Sequence, residues 1–465
     1  MRLSPSPDRL FPSDPATRGL ARGFYDAVKD APILSPHGHV DAAILSDDVP
    51  FSDPADLLIV PDHYVLRLLH AHGIGLDRLG RGGSTTDARA IWREFATSWH
   101  LFAGTPVRAW FEDTLHSVFG LTEHPSAANS DEQFDQISTW IAQPASRPRA
   151  LFDRFGIEVL ATTDDPADNL AAHRSLHDDP AFSGRVVPTF RPDRYMDPAN
   201  PNWTAALEAL HAASGIDCGT AGGLIRALED RRSFFRLRGA TATDTGVVDA
   251  WATRLGAGEL ERIHRAGLDG SVSPKEAMAY RAHMLWELAR MSSEDGLVMQ
   301  LHPGVLRGHH RPTSERFGAD SGHDLPLTTH YTEPLREVLN DFGTNETFRL
   351  VLFTVDETSF ARDLAPLAGF YPSVFVGAPW WFLDSPDGIR RFREAVTDSA
   401  GFYKTSGFID DTRAYLSIPA RHDVSRRMDA GWLATLVVTG RLGEEEAAMI
   451  ARDLVDSIPR HVFRL

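Results

Sequence analysis

Cysteine occurs once in 465 residues, at Cys218, which excludes internal disulfides and any thiolate-rich zinc or iron–sulfur site. As a nucleophile it is a poor candidate, because Gly215-Ile216-Asp217-Cys218-Gly219 offers no cation to lower its pKa. Lysine is nearly as scarce. It stands only at Lys29, Lys275 and Lys404, so 44 of the 47 basic residues are arginine, and a Schiff base or a lysine-bridged binuclear metal centre would have to use one of the three. Positive charge is in deficit overall: 64 acidic residues give a formal net charge of -17, against a nucleic-acid or anionic-membrane partner. An anionic small molecule must then be met by local arginines. No run approaches the ~20 apolar residues of a membrane span, and Met1-Arg2-Leu3-Ser4-Pro5-Ser6-Pro7 has no apolar signal core, so a cytoplasmic protein is expected. Phosphate-loop, nucleophile-elbow and H-E-x-x-H patterns are missing, and Gly73-Ile74-Gly75-Leu76-Asp77-Arg78-Leu79-Gly80 has the wrong spacing for a dinucleotide fingerprint.

Against those absences stands Ser35-Pro36-His37-Gly38-His39-Val40-Asp41, directly after the apolar run Ala31-Pro32-Ile33-Leu34. Side chains two apart on a strand share a face, so His37 and His39 can converge on one metal ion. With 20 histidines roughly one such pair is expected by chance. His70-Ala71-His72 serves as the control, since it closes a helical run in which residues two apart lie on different faces. Context separates the two, because His37 ends a β-like run where a parallel barrel presents its chemistry.

Residues 1–30 read as a helical lead-in, 31–45 as a first strand and metal loop, and 46–150 as a mainly helical insertion. In that insertion Trp92, Phe95, Trp99 and Phe102, then Trp110, Phe111 and Phe119, form stripes expected to be core. From Gly156 short apolar runs alternate with helices. Six of them end at polar or aromatic residues: 157–163 at Asp164, 185–190 at Arg191, 297–301 at His302, 348–354 at Asp356 and Glu357, 374–377 at Trp380 and Trp381, and 405–409 at Asp410 and Asp411. With His37 they predict an α/β protein, a (β/α)8 barrel begun by the first strand and completed over 151–430, followed by C-terminal helices at 431–465. Asp356 and Glu357 are expected to line its pocket.

His-x-His ending the first barrel strand and Asp ending the last is the arrangement of the amidohydrolase superfamily. Within it the chain resembles the uronate isomerase family. The resemblance rests on Pro61-Asp62-His63-Tyr64, Thr162-Thr163-Asp164-Asp165-Pro166, Phe190-Arg191-Pro192-Asp193, Gln300-Leu301-His302 with Gly304 and Arg307, Trp380-Trp381-Phe382, and Asp411-Thr412-Arg413, in the family's order. It implies a distorted (β/α)8 TIM barrel of the metal-dependent hydrolase type, and interconversion of D-glucuronate with D-fructuronate and of D-galacturonate with D-tagaturonate. It also implies one divalent ion, expected to be Zn2+, on His37, His39 and Asp411. Arg191, Arg307 and Arg413 match substrate-binding arginines, His302 and Trp380 match pocket residues, and Trp380 or Trp381 can stack on a sugar face. His63 and Tyr64 match a pair that moves the proton between C2 and C1, for which Tyr64 needs a lowered pKa. Asp411 and Arg413 are the further catalytic candidates, and a homo-oligomer is expected. Two departures stand out: Gly38 between the histidines, and Thr245 in Ala242-Thr243-Asp244-Thr245-Gly246, where relatives are expected to carry histidine. The alternatives are a metal-dependent amidohydrolase or lactonase on a sugar acid, and a non-catalytic uronate-binding relative.

Overall fold

The computed structural model describes residues 2–83 and 85–465, so Met1 of the lead-in and Ser84 of the insertion lie outside it. The lead-in helix Pro15–Asp26 is capped by Asp14 and packs on the long helix Ile418–Val438 near the chain's other end. The first strand, β1 (Ile33–Ser35), stops before the histidines, so His37 and His39 sit in the bend after the strand rather than on it.

Helices fill the span from Ala42 to Arg154, and the aromatic stripes of residues 92–119 are buried together in one core. Of these helices, His63–Ala71 matters most for the site. Asp62 caps it, accepting hydrogen bonds from the Tyr64 and Val65 amides at 2.8 and 3.4 Å, which fixes His63 and Tyr64 in the first turn.

The barrel is built from parallel strands. β1 pairs with β2 (Ile157–Ala161), and β2 with β3 (Arg185–Val187). Pro188, which has no amide hydrogen, separates β3 from β4 (Thr189–Phe190), and the Thr162 and Asp164 amides bond to the Val187 and Thr189 carbonyls across the break. The sheet continues through β5 (Ala242–Val247) and β6 (Val298–Pro303), then past a small antiparallel pair, β7 (Val305–Leu306) and β8 (Leu325–Pro326), to β9 (Leu350–Leu352) and β10 (Val374–Val376). The eighth position, 405–409, is joined to β10 by a single bridge at Thr405, and His39 N bonds to Thr412 O at 3.0 Å across the seam to β1. Pairing on that side of the barrel is sparse.

β5 is the strand that apolar patterning passed over, because Ala-Thr-Asp-Thr-Gly-Val carries polar side chains on both faces. The helix Ile418–Val438 runs through the expected boundary at residue 430. Among the described residues no helix is long and apolar enough to cross a membrane.

Candidate active site

The carboxyl ends of the strands and the first turn of helix His63–Ala71 line a cavity. Every candidate residue lines it: His37, His39, His63, Tyr64, Arg191, His302, Arg307, Trp380, Trp381, Asp411 and Arg413. Asp356 and Glu357 do not. Asp356 instead accepts the Thr329 amide at 3.0 Å and Glu357 binds Arg391, so both brace loops, contrary to the pocket role expected of them.

At the floor, Asp411 Oδ1 lies 3.3 Å from His37 Nε2 and 3.0 Å from His39 Nε2, and the two imidazoles stand nearly perpendicular. Asp411 Oδ1 is buried without a hydrogen-bond partner among the described residues, as is His302 Nε2. The potential ligand atoms of His37, His302 and Asp411 fall within 4.8 Å of one another. Separations near 3.3 Å suit the edges of a polyhedron whose corners lie about 2.0 Å from one ion, and a mixed imidazole and carboxylate set suits a divalent transition metal. The residues therefore fit a metal, with His302 brought closer to the group than a pocket role alone required.

Charge is arranged to suit. Burial disfavours the Asp411 carboxylate, but His37 and His39 more than offset it and hold its pKa well below the usual range. Burial likewise works against protonated His37, yet Asp244 and Asp411 raise its pKa, whereas burial keeps His39 and His302 low. Asp244, on β5, joins two groups: Oδ1 lies 2.6 Å from His302 Nδ1 and Oδ2 lies 3.3 Å from Arg191 Nη1. Arg191 also donates from Nε to Asp193 at 2.9 Å. Thr245, next along β5, does not line the cavity, because adjacent strand residues face opposite ways. The histidine expected there would therefore point away from the site, and the departure leaves the cavity wall intact. A side chain at Gly38 would meet Asp410 and Ala161 at ordinary contact distances of 3.5 and 3.6 Å.

The opposite wall carries His63 stacked on Tyr64, ring centroids 4.5 Å apart, and Arg421 from helix Ile418–Val438. Burial, helped by Arg413, lowers His63 to about 3, so its imidazole is neutral throughout the neutral range. For Tyr64 the expected lowering is reversed. Burial pushes the phenol up, and the nearby Arg421 opposes this without overturning it. Arg421 itself stacks on Trp110 with Cζ 3.6 Å from the ring centroid and pairs with Asp384 at 2.6 Å. The third wall holds Arg413, 2.6 Å from Asp320, and Arg307, which lies over Trp381 at 4.7 Å.

Asp244, Asp320, Asp384 and Arg421 were not foreseen as site residues. Asp244 had one available signal, a charge inside a Thr-rich, β-prone run. Nothing local sets Arg421 apart from the other arginines.

A family model described as glucuronate isomerase matches residues 16–463. A uronate isomerase of Corynebacterium efficiens is 48% identical over 463 residues, covering 99% of this chain and 98% of that one. The crystal structure of a glucuronate isomerase from Caulobacter crescentus superposes with a TM-score of 0.98 at 44% identity, covering 100% of this chain and 98% of the other. A structure described as a metal-dependent hydrolase from Lactobacillus casei shares the fold alone, with a TM-score of 0.53 at 10% identity.

Proposed function

The chain belongs to the glucuronate isomerase family, and from that premise we propose that it interconverts D-glucuronate with D-fructuronate and D-galacturonate with D-tagaturonate. The observation that carries the reading is one cavity joining a metal-fitting His/Asp group to arginines suited to a sugar carboxylate.

Arg307 and Arg413 hold the substrate carboxylate, since guanidinium forks match carboxylate geometry and stand together on one wall. Arg191, fixed by Asp193 and Asp244, donates to oxygens at the reacting end beside His302. Trp380 and Trp381 present apolar faces to the sugar ring. His37, His39 and Asp411 hold a divalent ion, with zinc our assignment from the nitrogen and oxygen ligand set. When bound, such an ion stabilises negative charge developing on sugar oxygens, worth several kcal/mol.

Isomerisation removes a proton from C2 and returns one to C1 through a cis-enediol, while a hydroxyl proton moves between O2 and O1. His63 and Tyr64 face the cavity as neutral groups, so the pair works as proton acceptor and hydrogen-bond donor without a standing phenolate. Asp411, kept ionised, takes the proton from the anomeric hydroxyl as the bond between C1 and the ring oxygen breaks, and returns it to that ring oxygen, which becomes the C5 hydroxyl. The enclosed floor, where His37 and His302 are buried, keeps bulk water from competing with the transferred proton. The reading extends to a cytoplasmic protein, consistent with a sequence that has one cysteine and no disulfide, and to a homo-oligomer acting on small uronic acids.

An NMR or coupled assay with both uronates tests this, run beside His37→Ala and Asp411→Asn. Ketouronate formation that falls steeply in both variants supports it, and uronate binding with no turnover in the unaltered protein sinks it.

A further inference from the structure

Between β7 and β8 the chain returns over the cavity mouth, and at its tip Asp320 points a carboxylate into the arginine wall. Oδ2 lies 2.6 Å from Arg413 Nη1, while Oδ1 lies 3.8 Å from Arg307 Nη1, whose nearer partner is Asp324 at 3.0 Å, so Asp320 takes the place on Arg413 that a ligand carboxylate would take. Resting on the uronate reading, we propose that Asp320 is an internal stand-in for the substrate carboxylate, which must displace it to bind, making Asp320 a specificity-determining residue.

The placement of Asp320 is built into the loop. Its backbone adopts φ +57, a left-handed conformation that aspartate tolerates better than most residues. On one side Arg81 of the insertion donates to Ala319 O at 2.9 Å, and on the other Asp324 accepts the Gly308 amide at 2.7 Å. Gly322, at φ +86, lies so close to Arg67 that a Cβ there would stand 2.7 Å from the arginine's own Cβ. The loop is thus clamped between insertion and barrel while the Asp320 side chain itself keeps 29% exposure, with room to turn outward.

An exchange of this kind favours acids. A uronate trades one arginine pair for another and adds its hydroxyl and ring contacts. A neutral aldose has nothing to offer Arg413, so Asp320 stays across the mouth. Because the pair is partly exposed, it is weak enough to be displaced.

The test is calorimetric binding of D-gluconate, which carries the carboxylate but no carbonyl to isomerise, to the full chain and to Asp320→Asn and Asp320→Glu. Asp320→Asn is expected to bind gluconate about five-fold more tightly, with the gain shrinking in high salt. Asp320→Glu, which keeps the competing charge, stays close to the unaltered protein, and D-glucitol, which lacks the carboxylate, shows no gain. Gluconate binding that is absent, unchanged or weakened in Asp320→Asn overturns the proposal. Since binding is read without turnover, a tighter Asp320→Asn in a protein that isomerises neither uronate would remove the isomerase reading and leave the competition standing.

Discussion

His302 Nδ1 lies 2.6 Å from Asp244 Oδ1, and this contact decides which nitrogen of His302 faces the cavity. With Nδ1 committed to the carboxylate, Nε2 is left without a partner and available to the His37 and Asp411 group. The other Asp244 oxygen faces Arg191, so one carboxylate orients an imidazole and an arginine together. Asp244→Asn, nearly isosteric, is expected to lower kcat/KM by roughly 10- to 100-fold, the usual range for a residue that orients a metal-site imidazole. Steady-state kinetics on both uronates decide it, and an unchanged kcat/KM would show that His302 needs no such orienting partner.

Arg421 is held between Trp110 and Asp384 with almost no exposure. Removing one member of a buried ion pair leaves an uncompensated charge, so Arg421→Met should destabilise the fold by about 3 kcal/mol. Asp384 already titrates at about 7, because burial outweighs Arg421, and can partly neutralise itself. The double variant Arg421→Met/Asp384→Leu is therefore expected to recover much of the loss. Urea unfolding of the three proteins at pH 7 tests this, and equal stability of single and double variants would mean the pair is not coupled.

The same contrast explains what the sequence disclosed. His37, His39, Asp411 and the three arginines stand at ends of apolar runs or beside them, and a run that stops abruptly at a charge is visible in one dimension. Asp244 lies inside a strand whose alternation is masked by threonines on both faces. Asp320 and Arg421 reach the cavity from a loop and a helix that follow their strands, and only chain tracing brings them there. Tyr64 illustrates a further gap. A neighbouring His63 or arginine suggests a stabilised phenolate, but how deeply the ring is buried, which sets the sign of the shift, is a property of the packed insertion.

Asp164 carries a pH dependence that can be read in stability. Its ordinary value of 3.8 rises to about 7, because burial outweighs the hydrogen bonds from Thr162 and Thr189. The folded protein thus holds this proton more tightly than the unfolded chain. The resulting stabilisation is full below about pH 3.8, declines as pH rises, and is lost above about pH 7. Asp164→Asn, whose amide oxygen can accept the same hydrogen bonds, should flatten this decline, gaining on the unaltered protein by up to about 1.4 kcal/mol per pH unit within the window. Denaturant midpoints measured from pH 4 to 8 give the comparison. Parallel profiles would show that Asp164 is ionised in the folded protein throughout.

The metal group yields an ordering of ligands. His39 Nε2 and His37 Nε2 both lie within 3.3 Å of Asp411 Oδ1, whereas the ligand atom of His302 is placed only within 4.8 Å of those of His37 and Asp411. His37, His39 and Asp411 should therefore carry most of the affinity, with His302 adding an orienting contact. Elemental analysis of the protein purified without chelator is expected to give one ion per chain, with His39→Ala losing it more readily than His302→Ala. Because an ion that binds only the folded state stabilises it by RT ln(1 + [L]/Kd), stripping it should lower the unfolding midpoint, with about 2.7 kcal/mol at stake for an ion present at 100 times its Kd. Restoring zinc should recover the midpoint in His302→Ala but not in Asp411→Asn. Retention of metal by Asp411→Asn, or its complete loss from His302→Ala alone, would move the ion away from the His37, His39 and Asp411 corner and onto His302.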